Sequence, residues 1–207
     1  RTLTRGPDPM KRFLRSAVLT AAVALIAVPA VAGSWTIDPS HSVMNFKVRH
    51  IFSKTGGSFD TWEGTLQFDG ADPATLGAEV IIQTASINTD NEDRDKHLRS
   101  PDFFNVEEFP TITFVSTRAE EQDGEWVLVG DFTMLGVTKE IAIPFEFYGS
   151  GKNPWDQTVA GFSGSVTINR KDFGMNWNKA LDAGGAILGD DVVIDLEIEA
   201  AEQGDAR

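Results

Sequence analysis

The chain has 207 residues, 18 basic and 31 acidic side chains, a formal charge of −13 and 41% hydrophobic residues, the proportions of one globular domain with a core of its own. Such a charge repels phosphate backbones and anionic lipid surfaces, so neither nucleic-acid binding nor electrostatic docking on a membrane is expected. The absence of cysteine excludes disulfides, thiolate metal sites and the acceptor thiol of a lipid-anchored bacterial lipoprotein.

Residues 1–9 read as an extension upstream of the natural-looking start Met10. Residues 10–32 have the three parts of a secretory signal. Met10, Lys11, Arg12 and Arg15 form the basic start, Ala17 to Val28 the apolar run, and Ala30-Val31-Ala32 the small-residue cleavage site. That apolar run falls well short of the roughly 20 residues needed to span a bilayer, and nothing comparable follows, so no stable membrane insertion is expected. The mature domain, 33–201, begins at Gly33, and the chain from there on carries 13 basic and 30 acidic residues, a formal charge of −17. Release into the periplasm follows for a Gram-negative source.

From Gly33 on, the apolar residues recur with period two. Met44, Phe46 and Val48 share a face, as do Ile112 with Phe114, and Ile141, Ile143, Phe145 with Phe147. The last run is the cleanest, with Val192, Ile194, Leu196 and Ile198 opposite Asp191, Asp195, Glu197 and Glu199. Strands are predicted over 34–38, 42–53, 58–69, 76–87, 111–121, 125–135, 138–148, 158–171 and 187–200, the first two forming one bent strand. Turn signals stand at Lys54–Gly57, Asp69–Pro73, Gln122–Gly124, Leu135-Gly136, Gly149–Gly151 and Gly184-Gly185. One wet and one dry face per strand implies an antiparallel sheet, and an eight-stranded meander that closes loses its exposed edges. Only 88–108 departs from the period. Asp90 or Asn91 can cap a short helix that Pro101 stops, and Leu98, Phe103 and Phe104 would fold down as a lid or plug. The last residues, 202–207, read as a disordered tail.

Five motifs stand in order along this chain. They are Trp35-Thr36-Ile37-Asp38-Pro39-Ser40-His41-Ser42, His97-Leu98-Arg99-Ser100-Pro101-Asp102-Phe103-Phe104 with Phe109-Pro110, Gly136-Val137-Thr138-Lys139, Asn169-Arg170-Lys171-Asp172-Phe173-Gly174, and Gly189-Asp190-Asp191-Val192. On these the chain resembles the YceI-like family of bacterial periplasmic proteins from Trp35 to Ala200. The resemblance implies an all-β fold, a lipocalin-like antiparallel eight-stranded β-barrel with one short helical connection. It also implies an apolar tunnel for a polyisoprenoid or other long-chain lipid, and a homodimer in many members.

The chain has 14 Phe and 5 Trp against one Tyr, a bias towards rings that can line a dry cavity without an unpaired hydroxyl. Met44, Phe46, Val48, Trp62, Leu66 and Phe68 are candidate lining from the first half. Val80, Ile82, Phe103, Phe104, Ile112, Phe114, Phe132, Ile143, Phe145, Phe162, Val166 and Ile168 continue it. The same alternation fits a barrel filled with its own side chains, and only the resemblance favours the tunnel. Asp38 and His41 suit a turn that fixes the first strand, or a polar contact to a headgroup. Arg170 shares a face with Val166 and Ile168, where it can meet Asp172 or a headgroup oxygen, and Trp177 can cover a barrel end or simply pack.

The three histidines have no metal spacing, and no nucleophile elbow, phosphate loop or dinucleotide fingerprint is present, so neither a metal, a cofactor nor catalysis is expected. The reading is therefore a periplasmic lipid carrier or store whose partner is a long-chain isoprenoid or fatty ligand. A filled-barrel stress-response or interaction protein and an enzyme on an isoprenoid-type substrate are the alternatives.

Overall fold

The computed structural model describes Thr2, residues 32–180 and residues 186–204. Apart from Thr2 and Ala32, the expected extension and signal segment lie outside the described residues, as does the turn expected at Gly184-Gly185. The strands are β1 (Gly33–Ile37), β2 (Val43–His50), β3 (Ser53–Phe59), β4 (Trp62–Phe68), β5 (Gly77–Gln83), β6 (Ile87–Asn88), β7 (Thr111–Gln122), β8 (Glu125–Met134), β9 (Val137–Lys152), β10 (Thr158–Asn169) and β11 (Leu188–Glu202). One helix, α1 (Glu92–Arg99), stands between β6 and β7.

These strands make eight staves, because the first three are each broken by a bend. β1, β4, β5, β7, β8, β9, β10 and β11 pair antiparallel in that order, and β11 returns to β1 to close the ring. β2, β3 and β6 extend the first three staves: β11 pairs with β1 through Ala200–Glu202 and with β2 farther back, from Glu197 to Leu188. The result is the closed antiparallel barrel the alternation predicts, joined through β1 and β11, while towards α1 the ladder ends on the two-residue β6.

The first bend is built by Asp38-Pro39-Ser40-His41. Asp38 Oδ1 accepts the Ser40 N–H (2.8 Å), the Asp38 N–H donates to the Glu199 carbonyl (2.9 Å), and Ser42 Oγ accepts the Glu199 N–H (2.9 Å). Residues 38–42 thus stand opposite only Ile198 and Glu199 of β11, and β2 resumes the pairing with its register shifted by three residues.

Two expected turns prove to be strand. Lys54–Gly57 lies inside β3, and the reversal comes earlier, at Ile51-Phe52, with Ile51 at φ 53°. The glycines there serve packing instead: a Cβ on Gly57 would stand 2.7 Å from both Phe46 Cζ and Thr89 Cγ2. Gly149–Gly151 likewise lies inside β9, opposite a register shift at Gly161/Phe162, and the chain reverses only around Asn153–Gln157. Tight turns at Asp123-Gly124 (φ 52° and 88°) and Leu135-Gly136 (φ 52° and 72°) fall where expected, with both central residues left-handed as a two-residue hairpin requires. At the C-terminus the sheet continues past the expected boundary. Glu202 pairs with Trp35 and the Gln203 N–H donates to Ser34 O (2.8 Å), while 205–207 lie outside the described residues.

The barrel's two ends differ. At the end with the β4–β5, β7–β8 and β9–β10 turns, aromatic rings fill the interior. Phe68 meets Phe147 at 5.0 Å and Phe162 at 5.3 Å, and Trp35, 1% exposed, donates its indole N–H to Phe68 O (2.9 Å). The other end carries the β2–β3 and β8–β9 turns and is covered by α1. Asn91 caps this helix, its Oδ1 accepting the Arg94 N–H (2.9 Å). Buried Asp95 accepts the Thr89 N–H (3.0 Å), and the Arg99 guanidinium donates to the carbonyls of Ala85 (2.7 Å) and Ile87 (2.8 Å). Helix and wall are therefore tied at both helix ends.

Candidate functional site: an apolar cavity under the helix

Under α1 the aromatic filling stops and the barrel encloses a cavity of about 350 Å³. Inward residues of nearly every stave line it: Met44, Phe46 and Val48 from β2, Val80 and Ile82 from β5, Ile112 and Phe114 from β7. Phe132 and Met134 from β8, Ile141 and Ile143 from β9, Val166 and Ile168 from β10, and Val192, Ile194 and Leu196 from β11 complete the wall. The helix side contributes Leu98, Phe103 and Phe104, the lid expected from the sequence.

Of the predicted lining, five residues lie elsewhere. Leu66, Phe68 and Phe162 belong to the aromatic filling of the opposite end, and Trp62 and Phe145 pack against the core without reaching the cavity. Leu66, Phe68 and Phe162 share the inward face with the true lining but sit nearer the filled end, and alternation reports face, not height, whereas Trp62 stands opposite the lining residue Ile82 and is not separated by height. Ile194 and Leu196 were visible as the dry face of the last strand but absent from the predicted lining. His97, Arg94 and Met134 were not anticipated as lining at all.

Few polar groups meet this cavity, and three are held by the protein itself. Arg94 donates through Nε to Thr89 Oγ1 (2.7 Å) and through Nη2 to Thr89 O (2.6 Å). His97 Nε2 pairs with Asp102 Oδ2 (2.9 Å), and its ring stands edge-on to Phe103 and Trp177, each 5.0 Å away. Trp177 thus covers the barrel end, one of its two expected roles.

Arg170 points inward as expected but has a different carboxylate. Its guanidinium, 2% exposed, donates to the carbonyls of Gly189 (2.8 Å), Met175 (2.7 Å) and Trp177 (2.9 Å), and lies 3.3 Å from Asp190 Oδ1. The expected pair with Asp172 does not form, because residues Arg170–Phe173 make a 3₁₀ turn that carries Asp172 to the surface, 3.9 Å from Lys139 Nζ. Burial holds the Arg170 pKa below its ordinary value, with the Asp190 charge opposing the shift. The Lys171 ammonium, hydrogen-bonded at 2.9 Å, holds the Asp190 carboxyl below its own.

Asp38 and His41 lie off the cavity at the β1–β2 bend, joined Oδ2 to Nδ1 at 2.8 Å. This hydrogen bond raises the imidazole pKa and, with the Ser40 N–H, lowers that of the carboxyl. Glu199 Oε1 is 3.8 Å from the same nitrogen. These three groups have the donor types of a metal site, but ion pairing and the backbone bonds of the bend account for their arrangement.

A closed barrel with a helix-covered apolar cavity agrees with the comparisons to known proteins. The profile of the YceI-like domain matches residues 35–200. A UPF0312 protein of Staphylococcus aureus (strain MSSA476) is 42% identical over 168 residues, covering 80% of this chain and 96% of that protein. The crystal structure of a Campylobacter jejuni YceI protein superposes with a TM-score of 0.65 at 27% identity, over 92% of this chain and 99% of its own. A polyisoprenoid binding domain from Saccharophagus degradans, implicated in plant cell wall breakdown, shares the fold with a TM-score of 0.63 at 15% identity, over 84% and 99% of the two chains. The motif order, the eight-stave barrel and these matches agree: the chain belongs to the YceI-like family.

Proposed function

We propose that the mature protein is a periplasmic carrier or store for one long-chain apolar ligand of the polyisoprenoid or fatty class. The observation that carries this reading is the cavity of about 350 Å³, walled by aliphatic and aromatic side chains and stopped at one end by the Trp35–Phe68–Phe162 packing. A lining of this kind takes its binding energy from removing hydrocarbon from water, about 0.8 kcal/mol for each buried methylene, so a few isoprene units offset the cost of association. The volume lies at the lower end of ligand cavities, roughly 300–1,000 Å³, which suits the tail or terminal units of a chain rather than a bulky ring system.

Binding rather than catalysis is supported by a wall built chiefly of hydrocarbon side chains, in which three of the four titratable lining groups serve the fold and the fourth, His50, stands at the rim. Arg94, His97 and Arg170 each bond to another part of the protein. Export is supported by the signal-like segment 10–32, and the polyisoprenoid class by the named binding of the Saccharophagus neighbour.

The test is a titration of purified mature protein with a fluorescent prenyl or long-chain fatty probe. Val166→Trp places an indole in the cavity and is expected to weaken binding at least tenfold. Val115→Trp, on the exposed face of β7, should leave it unchanged. Equal binding by the two variants would place the probe elsewhere and end this reading.

A further inference from the structure

Phe52 is 99% exposed, a whole phenyl ring in water at the tip of the β2–β3 hairpin. Its place is specific. His50 lines the cavity, and the Ile51 N–H donates to the carbonyl of Ile187 (2.8 Å), which also lines it. The hairpin tip is thus the rim of the cavity end. Ile51 adopts φ 53°, a conformation that β-branched residues avoid, so the turn holds a strained residue while presenting the ring outward.

The charge around the ring differs from that of the molecule. Arg49 and Lys54 are direct cross-strand partners on this hairpin, like charges side by side, with Asp190 near Arg49 and Asp195 near Lys54. Lys139, Lys171 and Lys179 belong to the same end. Its acids include Asp190, which pairs with Lys171 and Arg170, Asp172 beside Lys139, Asp102 on His97, Asp191, and the first turn of α1, Glu92 and Asp93. At the opposite end the turns carry Asp69, Asp72, Asp123, Glu125 and Asp156, with Lys152 paired to Asp156 at 2.5 Å. The end as a whole is therefore mixed in charge, but the hairpin Val43–Phe59 carries Lys47, Arg49 and Lys54 and no acid, so its tip offers positive charge to an anionic surface that the molecule as a whole repels.

We propose that the β2–β3 tip is a docking edge for an anionic bilayer, Phe52 entering the interface while Arg49 and Lys54 meet lipid phosphates. An exposed aromatic beside cations is the combination that holds a protein at the water–lipid boundary without spanning it. Docking there sets the cavity rim at His50 and Ile187 against the leaflet that supplies or receives the chain. This rests on the carrier reading above and adds where the exchange takes place.

The experiment is co-sedimentation of the mature protein with vesicles of phosphatidylethanolamine containing about a third phosphatidylglycerol, paired with uptake of a fluorescent prenyl probe from the same vesicles. The unmodified protein is expected to bind, and to release as salt rises. Phe52→Ser and the double change Arg49→Glu with Lys54→Glu should each cut the bound fraction at least tenfold and slow uptake from vesicles. The amount of probe bound at equilibrium from detergent solution should stay the same. Trp155→Ser, which removes the exposed ring at the acidic end, should change nothing. Vesicle binding that is absent, or indifferent to Phe52→Ser, overturns the proposal, as does a Phe52→Ser variant that converts a dimer to a monomer, since a second copy then covers the ring. Vesicle binding that follows these variants, in a protein that takes up no probe from either source, leaves the docking edge standing and removes the carrier reading.

Discussion

Arg170 is one of the least exposed side chains among the described residues, and its four bonds reach the loop after β10 and the start of β11. A guanidinium suits this position because its fan of donors satisfies three carbonyls that would otherwise lose water without replacement, while the partly exposed Asp190 carboxylate is shared with Lys171. Arg170→Met leaves the three carbonyls unpaired and is expected to cost about 2–4 kcal/mol. Arg170→Lys should recover only part of this, because an ammonium cannot bond both sides of the fork. Urea unfolding of the three proteins measures the difference, and equal midpoints would show that the loop holds without the arginine. The sequence revealed that Arg170 points inward, from its face shared with Val166 and Ile168. It did not reveal the partner, because the 3₁₀ turn that exposes Asp172 and leaves Asp190 beside the guanidinium has no period of its own.

At the scale of elements, alternation and turn chemistry located the staves and the helix, including the Asn91 cap and the bent first strand. They failed at two glycine-rich segments that lie inside strands, and at one of them glycine serves packing. Gly57 pairs with Phe46 across the β2–β3 hairpin, and the space of its missing Cβ is taken by Phe46, Thr89 and the Asn88 carbonyl, 2.8 Å away. Gly57→Ala should therefore destabilise the protein by roughly 1–3 kcal/mol through overpacking where β3, β6 and the approach to α1 meet. Gly151→Ala, whose new methyl meets nothing within 4 Å, should be neutral or slightly stabilising. Thermal unfolding of both variants decides this, and a Gly57→Ala protein as stable as the parent would return Gly56-Gly57 to an ordinary flexible segment.

For the molecule as a whole, the question left open by alternation, filled barrel or hollow one, has a divided answer. The end with Trp35, Phe68, Phe147 and Phe162 is filled, and the end under α1 is hollow. Both use the same inward-facing apolar residues, so no local pattern distinguishes them. What differs is side-chain volume at a given height, which depends on the register of all eight staves at once. Packed rings fill the barrel at one end, and the space they leave at the other is walled chiefly by hydrocarbon. The most direct measurement is mass spectrometry of an organic extract of the mature protein purified from periplasm, against an extract of a protein-free blank and of the Val166→Trp variant. One prenyl or acyl species near one per protein, and markedly less in the variant, is the predicted result. An empty extract from folded protein that also refuses added prenyl and fatty chains would contradict the account.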